Sequence, residues 1–563
     1  MVTKLPHPTS TTAEVFDLIV VGAGINGLGI ARDAAARGLS VVLVEKDDFC
    51  SGVSAWSGRL IHGGLRYLEH GEVALVRESL RERERLFRLA PHLVKPVSLL
   101  MPFYKRNKRP SWLIRMGMIA YDVLSFDKKS PSHKILSTAD VTARFSGMEK
   151  EGLGGSALFT DGQVEYAERL CVELAVGARA DGALILTHSE VTEFVIENGQ
   201  ATGVRYTDLI TGKAGELHGR VVMNAAGPWV DWLLGNPSDA TPATAISTKR
   251  HIGGSKGTHI VVDPFPGAPT DVVYYESQSD QRLVLVIPWM GRFLIGCTDT
   301  LYNAEPDSAR ATVTEVDYLL TEANALMPNA GLTRESVLFT YSGVRPLPYA
   351  PGVPEWKIPR SHIIFDHKKD NKAKLFSIIS GKLTTYRQLA EDAVDIALRE
   401  LGRPKSPSPT RGLRFPGAST GDFESFRTRF LTTTIVDADT AVRLIEMYGT
   451  RAEQIVALVQ KDSSLGERFD PSSPAIAAEL LLAIDEEAAR TLTDVFARRL
   501  LLAFEPEHGL AGAARAAKIV GDRLGWSPTD RQKQIAEYST WLDHLAVPTA
   551  VTDASPAASV QER

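Results

Sequence analysis

Cysteine is scarce in this 563-residue chain: Cys50, Cys171 and Cys297 are the three, far apart and with no CxxC pair. That excludes a disulfide framework, a cysteine-built zinc cluster and a cysteine-ligated iron–sulfur centre, and it fits a reducing, cytoplasmic setting. No metal site is expected. Long apolar runs are missing too. No stretch approaches about 18 uncharged apolar residues, and the opening MVTKLPHPTSTTAEV lacks the apolar core of a signal peptide, so neither membrane spanning nor export is expected. Nor is there an excess of positive charge. The 63 Lys and Arg against 68 Asp and Glu leave a net charge of -5, which removes any whole-molecule reason to bind nucleic acid. An anion site must therefore be local.

What is present is apolar material, 44% of the chain, enough for the cores of two or more domains. FDLIVVGAG, from Phe16 to Gly24, reads as a buried strand entering a turn. GLGIARDAAARG (Gly27 to Gly38) reads as a helix closed by Gly, and LSVVLVEK (Leu39 to Lys46) as a second buried strand. Together they make a βαβ unit of about 30 residues. Between about 183 and 226, turn signals at 197–199 and 211–213 predict a small meander ahead of VVMNAAG. From Thr258 to Asp299 the strings THIVVD, DVVYYES, RLVLVIPWM and RFLIGCTD predict an antiparallel sheet. After Gly402 comes RPKSPSPTRGLRFPGAST, rich in Pro, Ser and Gly, and beyond it the pattern is helical, including the unbroken string AIAAELLLAIDEEAARTLTDVFARRLLLAF.

The expected fold class is α/β: a Rossmann-like dinucleotide-binding domain interleaved with an antiparallel-sheet substrate domain over 16–405, and a C-terminal helical domain over 420–545. Residues 1–15 and 546–563 are expected to be disordered.

The phosphate-binding turn is Gly22-Ala23-Gly24-Ile25-Asn26-Gly27. Gly22 makes the tight turn, Gly24 admits a pyrophosphate and Gly27 lets helix and strand pack, while the helix N-terminus supplies amide donors. With 45 glycines in the chain, chance alone yields roughly 0.3 such spacings, so the strand before and the helix after carry the assignment. Glu45, closing the second strand, would accept a hydrogen bond from a ribose hydroxyl and disfavours NADP. Two more glycine-bearing strand ends, VVMNAAGPW with Gly227 and LFSIISGKLTTYRQL with Gly381, offer extra seats beside a ligand. FAD, with its ring and ribityl chain, needs more of these than NAD.

RLIHGGLRYLEH, from Arg59 to His70, sets His, Arg and Tyr around a Gly pair soon after that unit. This string, with GAGINGLGIARDAAARGLSVVLVEKDDF, NAAGPWVD, SKGTHIVV, VIPWMGRFLIGCTDT, TYSGVRPL and SGKLTTYRQLAEDA, resembles the respiratory, flavin-linked glycerol-3-phosphate dehydrogenases, within the flavoenzymes similar to D-amino-acid oxidase. The resemblance runs from residue 16 to about 395, and more weakly through the helical tail. It implies oxidation of the C2 hydroxyl of sn-glycerol 3-phosphate to dihydroxyacetone phosphate, with hydride passing to FAD and electrons to quinone. A phosphate monoester is best held by planar Arg forks, and the resemblance assigns that task to Arg66, Tyr67 and Arg360, with Arg345 over the substrate. His62 and His259 are both candidates for the base, and the choice between them is open. Lys382 is expected to stabilise negative charge rather than to act as base. Flavin contacts are carried over to Ser54, Ser57, Gly63, Gly64, Leu383 and Thr384.

The chain departs from the pattern at Val53 and Gly58, where a hydroxyl is usual, and at Ser380, where Gly is usual and Ser would be tolerated at negative φ. YKRNKRPSWLIRMGMIAYDVL, from Tyr104 to Leu124, is basic and then apolar. With a lipid-soluble quinone as acceptor, this segment is expected to touch the inner face of the cell membrane, and a homodimer is allowed. Two alternatives stay open: an oxidase that passes electrons to oxygen, and a flavoprotein that senses or assembles without catalysis.

Overall fold

The computed structural model of the protein describes residues 15–235, 246–247, 249–353 and 358–549. The disorder expected over 1–15 and 546–563 falls almost wholly outside these residues. The first residues of the expected tail are instead tied down: Thr340 Oγ1 donates to the Ala546 carbonyl at 2.8 Å, and Val547 packs on a core cluster.

A six-stranded sheet runs in the order Ile363–Asp366, Leu375–Ile379, Val222–Asn224, Leu18–Val21, Val41–Val44, Leu184–Leu186. All neighbours are parallel except the first pair. LIVV and VVLV are buried at every position, the mark of strands covered on both faces. Helix Ile25–Ala36 covers one face and packs against helices Ala167–Ala180 and Tyr386–Glu400. The expected meander is present as Ser189–Glu197, Gln200–Asp208 and Ala214–Gly219, and Val15–Phe16 adds a parallel edge.

The strand block expected between 258 and 299 is Ile252–Val262, Val272–Glu276, Leu283–Trp289 and Arg292–Gly296. It is only part of a larger sheet that also recruits Val94–Tyr104, Leu153–Val164 and Val337–Pro348. The register sets Ser255 opposite Arg345 and His259 opposite Tyr341. The short strand Leu60–Ile61 pairs with Gln163 and Gly162 at the far edge.

The helical domain contains Phe423–Thr433, Ala438–Tyr448, Ala452–Lys461, Ala477–Asp485, Ala513–Leu524 and Pro528–Trp541. One expectation is corrected here. The string read as helical from 475 to 504 is not helical throughout: it breaks after Asp485, passes through Ala488 at φ 58, and resumes as a π-helical turn, Asp494–Arg499. The break delivers Glu487 into a buried seam against the rest of the molecule. There its carboxylate accepts Arg169 Nη1 at 2.6 Å, Arg169 Nη2 at 2.7 Å and Arg451 Nη1 at 2.7 Å. Arg451 also bonds Glu173 at 3.0 Å, and Arg499 grips Asp48 with two bonds of 2.5 and 2.8 Å.

The Pro-rich stretch after Gly402 is likewise strapped down. Thr410 Oγ1 donates to Asp33 at 3.0 Å, Arg32 Nη2 to the Arg414 carbonyl at 2.6 Å, and the Phe415 amide to the Leu89 carbonyl at 2.9 Å.

Arg169 and Glu487 are both fully buried, and removing one partner strands the other charge in a dry interior. Glu487→Ala is therefore expected to cost about 3–5 kcal/mol, read as a lowered urea unfolding midpoint. A midpoint within experimental error of the unaltered protein would contradict this account of the seam.

Candidate active site

A cavity of about 1280 Å³ lies where four parallel strands end. Gly22 follows Leu18–Val21, Glu45 follows Val41–Val44, Ala225 follows Val222–Asn224, and Ser380 and Gly381 follow Leu375–Ile379; all of them line it. This is the crevice in which open α/β sheets hold ligands. Its volume exceeds the ~300–1,000 Å³ of ordinary small-molecule pockets, which suits a dinucleotide together with a substrate.

At the dinucleotide end Gly22 has φ 102, and a Cβ there would sit 2.7 Å from the Ala225 carbonyl oxygen. Only Gly fits. Gly27 packs against Gly22, which is the third-glycine role expected of it. Glu45 is buried, and its carboxylate accepts the Ala23 amide at 2.6 Å and the Asp47 amide at 2.9 Å. Burial, helped by the charge of Asp47, pushes its pKa up to about 7. The Ser54 hydroxyl accepts the Ile25 amide at 3.0 Å, so it caps the first helical N–H of the phosphate turn. Ser57, Gly227, Leu383 and Thr384 line the cavity. Thr384 Oγ1 accepts the His62 amide at 3.1 Å.

Ser380 lies at φ 65, so the negative φ under which Ser would replace Gly without strain is not met; the conformation is held by its amide bonding the Pro346 carbonyl at 2.8 Å and its hydroxyl bonding the Arg360 carbonyl at 3.3 Å. One expectation is corrected. Gly63 is not on the cavity wall. Its missing side chain leaves room for the Tyr121 hydroxyl and Leu80, which a Cβ would meet at 2.2 and 2.5 Å. Gly64, at φ 78, does line the cavity, and a Cβ there would meet the Tyr67 ring at 2.3 Å and Lys382 Nζ at 3.0 Å.

At the other end the sheets bring Arg66, Arg345, Arg360 and Lys382 together. Lys382 precedes the turn into helix Tyr386–Glu400, is half-buried, donates to Ser79 at 2.8 Å, and stands 4.4 Å over the Tyr67 ring. Burial lowers its pKa, while Tyr67 and Asp161 oppose that. Arg345 Nη1 reaches Ser255 Oγ at 3.2 Å and Asp299 at 3.1 Å, and its Nη2 reaches Cys297 Sγ at 2.9 Å. Arg360 Nη2 lies 3.4 Å from the other oxygen of Asp299. Its Nε is buried without a partner among the described residues, and Arg66 makes no hydrogen bond or ion pair there, only a contact of 5.7 Å over the Tyr67 ring.

Asp299 is the residue that sequence reasoning missed. Burial alone would raise its pKa, but Arg345, Arg360, Ser255 and Arg66 hold it below the usual range. It lies in GCTDT, within a motif that resembles the family, yet no spacing rule marks an Asp just past a strand end.

His62 and His259 flank this cluster. Burial, with Lys382 and Arg66 nearby, drops His62 to about 3; burial, with Arg345 and Arg59, drops His259 to about 3. Both imidazoles are therefore neutral at neutral pH. His259 Nδ1 is buried and unpartnered among the described residues, and Gly296 makes room for the ring: a Cβ there would lie 2.4 Å from His259 Cδ2. Arg59 turns away to pair with Glu168, at 2.9 Å for one of its two bonds, beneath Trp289 and Phe504.

Comparison with known proteins bears on this site. The family described as FAD dependent oxidoreductase matches residues 17–387, and the C-terminal domain of alpha-glycerophosphate oxidase matches residues 408–531. The glycerol-3-phosphate dehydrogenase of Synechocystis sp. is 45% identical over 537 residues, covering 95% of this chain and 97% of that protein. The aerobic glycerol-3-phosphate dehydrogenase of Staphylococcus aureus is 32% identical over 527 residues, covering 91% and 92%. Among solved structures, the glycerol-3-phosphate dehydrogenase of Bacillus halodurans complexed with FAD is similar at a TM-score of 0.77 and 28% identity, covering 95% of this chain and 96% of that one.

The depressed histidines make a prediction about acid stability. Unfolded, each imidazole titrates near 6.5; folded, near 3. Between those values the unfolded chain binds more protons, so stability rises with pH across the window and is lost as pH falls from about 6.5 toward about 3. His62→Gln and His259→Gln should each flatten that acid limb in a plot of unfolding midpoint against pH. A limb identical to that of the unaltered protein would mean that the imidazoles are not desolvated.

Proposed function

Because the chain belongs to the family of FAD-dependent glycerol-3-phosphate dehydrogenases, we propose that it oxidises the C2 hydroxyl of sn-glycerol 3-phosphate to dihydroxyacetone phosphate and delivers the electrons to quinone. The observation that carries this reading is the cluster of cations with unused donors, Arg66 and Arg360, opening on the same cavity as the dinucleotide turn.

The residues present fit FAD: the Gly22 turn that a Cβ would obstruct, the Glu45 carboxylate, the capped helix N-terminus and Gly381 through Thr384 would hold it. When bound, FAD supplies the hydride acceptor. The protein's own groups do the rest. Arg66 and Arg360 bind the phosphate, whose charge of about -1.5 to -2 offsets the local excess of positive charge. Asp299 braces Arg345 and Arg360 so that both forks are aimed before the substrate arrives. Lys382 and Arg345 stabilise charge on the C2 oxygen as its proton leaves. A neutral imidazole, of His62 or His259, takes that proton on a ring nitrogen. Leu60, Leu99 and Phe159 in the cavity wall limit water.

For the acceptor, support comes from the surface. Leu65, Leu68 and Leu113 line the cavity together with Lys108 and Arg109. Leu113 belongs to helix Ser111–Leu124, whose outer face carries Trp112 and Met116 at 60% exposure and Val123 at 65%, with Lys105 and Arg106 just before it. No helix among the described residues is long and apolar enough to cross a membrane. A basic, apolar face beside the cavity suits docking on an anionic membrane surface, from which a lipid-soluble quinone would be reached. The match to an alpha-glycerophosphate oxidase C-terminal domain favours oxygen as the second reading.

Glycerol 3-phosphate added anaerobically should bleach the flavin, and a quinone analogue should restore its colour; peroxide formed in step with turnover under air would favour the oxidase reading. A flavin that stays yellow would remove the catalytic reading and leave a sensor or assembly role. Arg66→Ala should lose ~10- to 100-fold in kcat/KM with flavin content unchanged, as expected for deleting a charged hydrogen-bonding partner.

A further inference from the structure

Asp161 reaches the cavity wall beside His62 and Gly64 but makes no ion pair with Arg66, Arg345 or Arg360. It is 2% exposed, and its carboxylate is crowded with donors. Oδ1 accepts the Gly63 amide at 3.1 Å, Arg83 Nη1 at 2.5 Å and the Tyr121 hydroxyl at 2.9 Å, and Tyr121 also reaches Oδ2 at 3.0 Å. Arg83 and Tyr121 are themselves 1% and 2% exposed. Core stability alone gives little reason for this arrangement, because apolar packing of the same volume is commonly as stable as a buried ion pair. What the triad adds is direction. The Gly63 amide is the backbone donor that follows His62. The next residue, Gly64, is pressed against the Tyr67 ring and Lys382 on its far side. The peptide is thus gripped from both sides, by Tyr121 and Asp161 behind and by Tyr67 and Lys382 in front. The charge of Asp161 is also among those that oppose the lowering of the Lys382 pKa by desolvation.

We propose that Asp161, braced by Arg83 and Tyr121, is a positioning residue: it holds the Gly63 peptide so that His62 and Lys382 keep their places at the reacting carbon. The inference rests on the reading that the cationic end of the cavity is where the substrate reacts. Reacting groups must be held to about half an ångström, and a glycine pair cannot do that by itself. Tyr121 lies on helix Ser111–Leu124, so this surface element is linked through Asp161 to the loop that carries His62.

The test uses the FAD-loaded enzyme with Tyr121→Phe, and with the isosteric Asp161→Asn as the second variant. Tyr121→Phe should keep its FAD and its KM for glycerol 3-phosphate to within about twofold while kcat falls about tenfold, the value of one lost hydrogen bond. Asp161→Asn should lose more. Hydrogen exchange by mass spectrometry, without substrate, should show faster exchange in the peptide spanning 62–66 in both variants. Unchanged kcat together with unchanged exchange in both would overturn the proposal, and so would a loss confined to melting temperature. Faster exchange in the variants of a protein whose flavin glycerol 3-phosphate does not bleach would sink the substrate assignment and leave Asp161 in its positioning role.

Discussion

Four cationic side chains, Arg66, Arg345, Arg360 and Lys382, share one end of a cavity, with the Asp299 carboxylate between two of them. Charges of one sign repel strongly where water is excluded, and most features of the site follow from that. The two histidines, already desolvated, are pushed further toward the neutral form by the neighbouring cations. Asp299, though half-buried, is held below the usual carboxylate range by Arg345 and Arg360. Tyr67, which burial alone would push up, is drawn below its ordinary value by Lys382 and Arg66. The same imbalance selects the ligand: a compact dianion brings the charge that the pocket lacks, and a neutral alcohol does not.

Such a cluster needs a stiff frame, because an unbraced set of arginines would turn outward to water. The frame is built from distant parts of the chain. Arg345 comes from a strand paired with the one that carries His259, Lys382 from the end of the parallel sheet, and Arg66 from the turn after the Gly pair. The helical domain completes it. Trp56, from the loop that lines the cavity, stacks on Trp541 at 6.1 Å and meets Phe504 at 6.5 Å, while Arg499 and Glu487 clamp the domain through buried ion pairs. The C-terminal domain therefore supports the back of the active site.

Much of this was legible in the order of residues. Local physics governs the βαβ unit: a continuous apolar run, a glycine turn that tolerates no Cβ, an Ala-rich helix and an acid closing the next strand all act within about 30 residues. The turn at Asn198 and Gly199, with φ of 49 and 74, is likewise local chemistry. The helical tail could be read by periodicity, but its break at Ala488 could not. Beside that break Glu487 pairs with Arg169 and Arg451, and Arg169 lies far away in sequence.

The sequence by itself determined the dinucleotide turn, the fold class and the residue types able to hold a phosphate, because each depends on neighbours a few positions away or on a string long enough to be distinctive. Only the tertiary structure decided that Asp299 braces two arginines, that Ser54 caps the phosphate-turn helix, that Gly63 yields to Tyr121 rather than to the cavity, and that Ser380 sits at positive φ. Those outcomes depend on side chains from separate strands and helices meeting in a buried space, where one charge or one methyl decides what fits, and chain order does not encode such meetings locally.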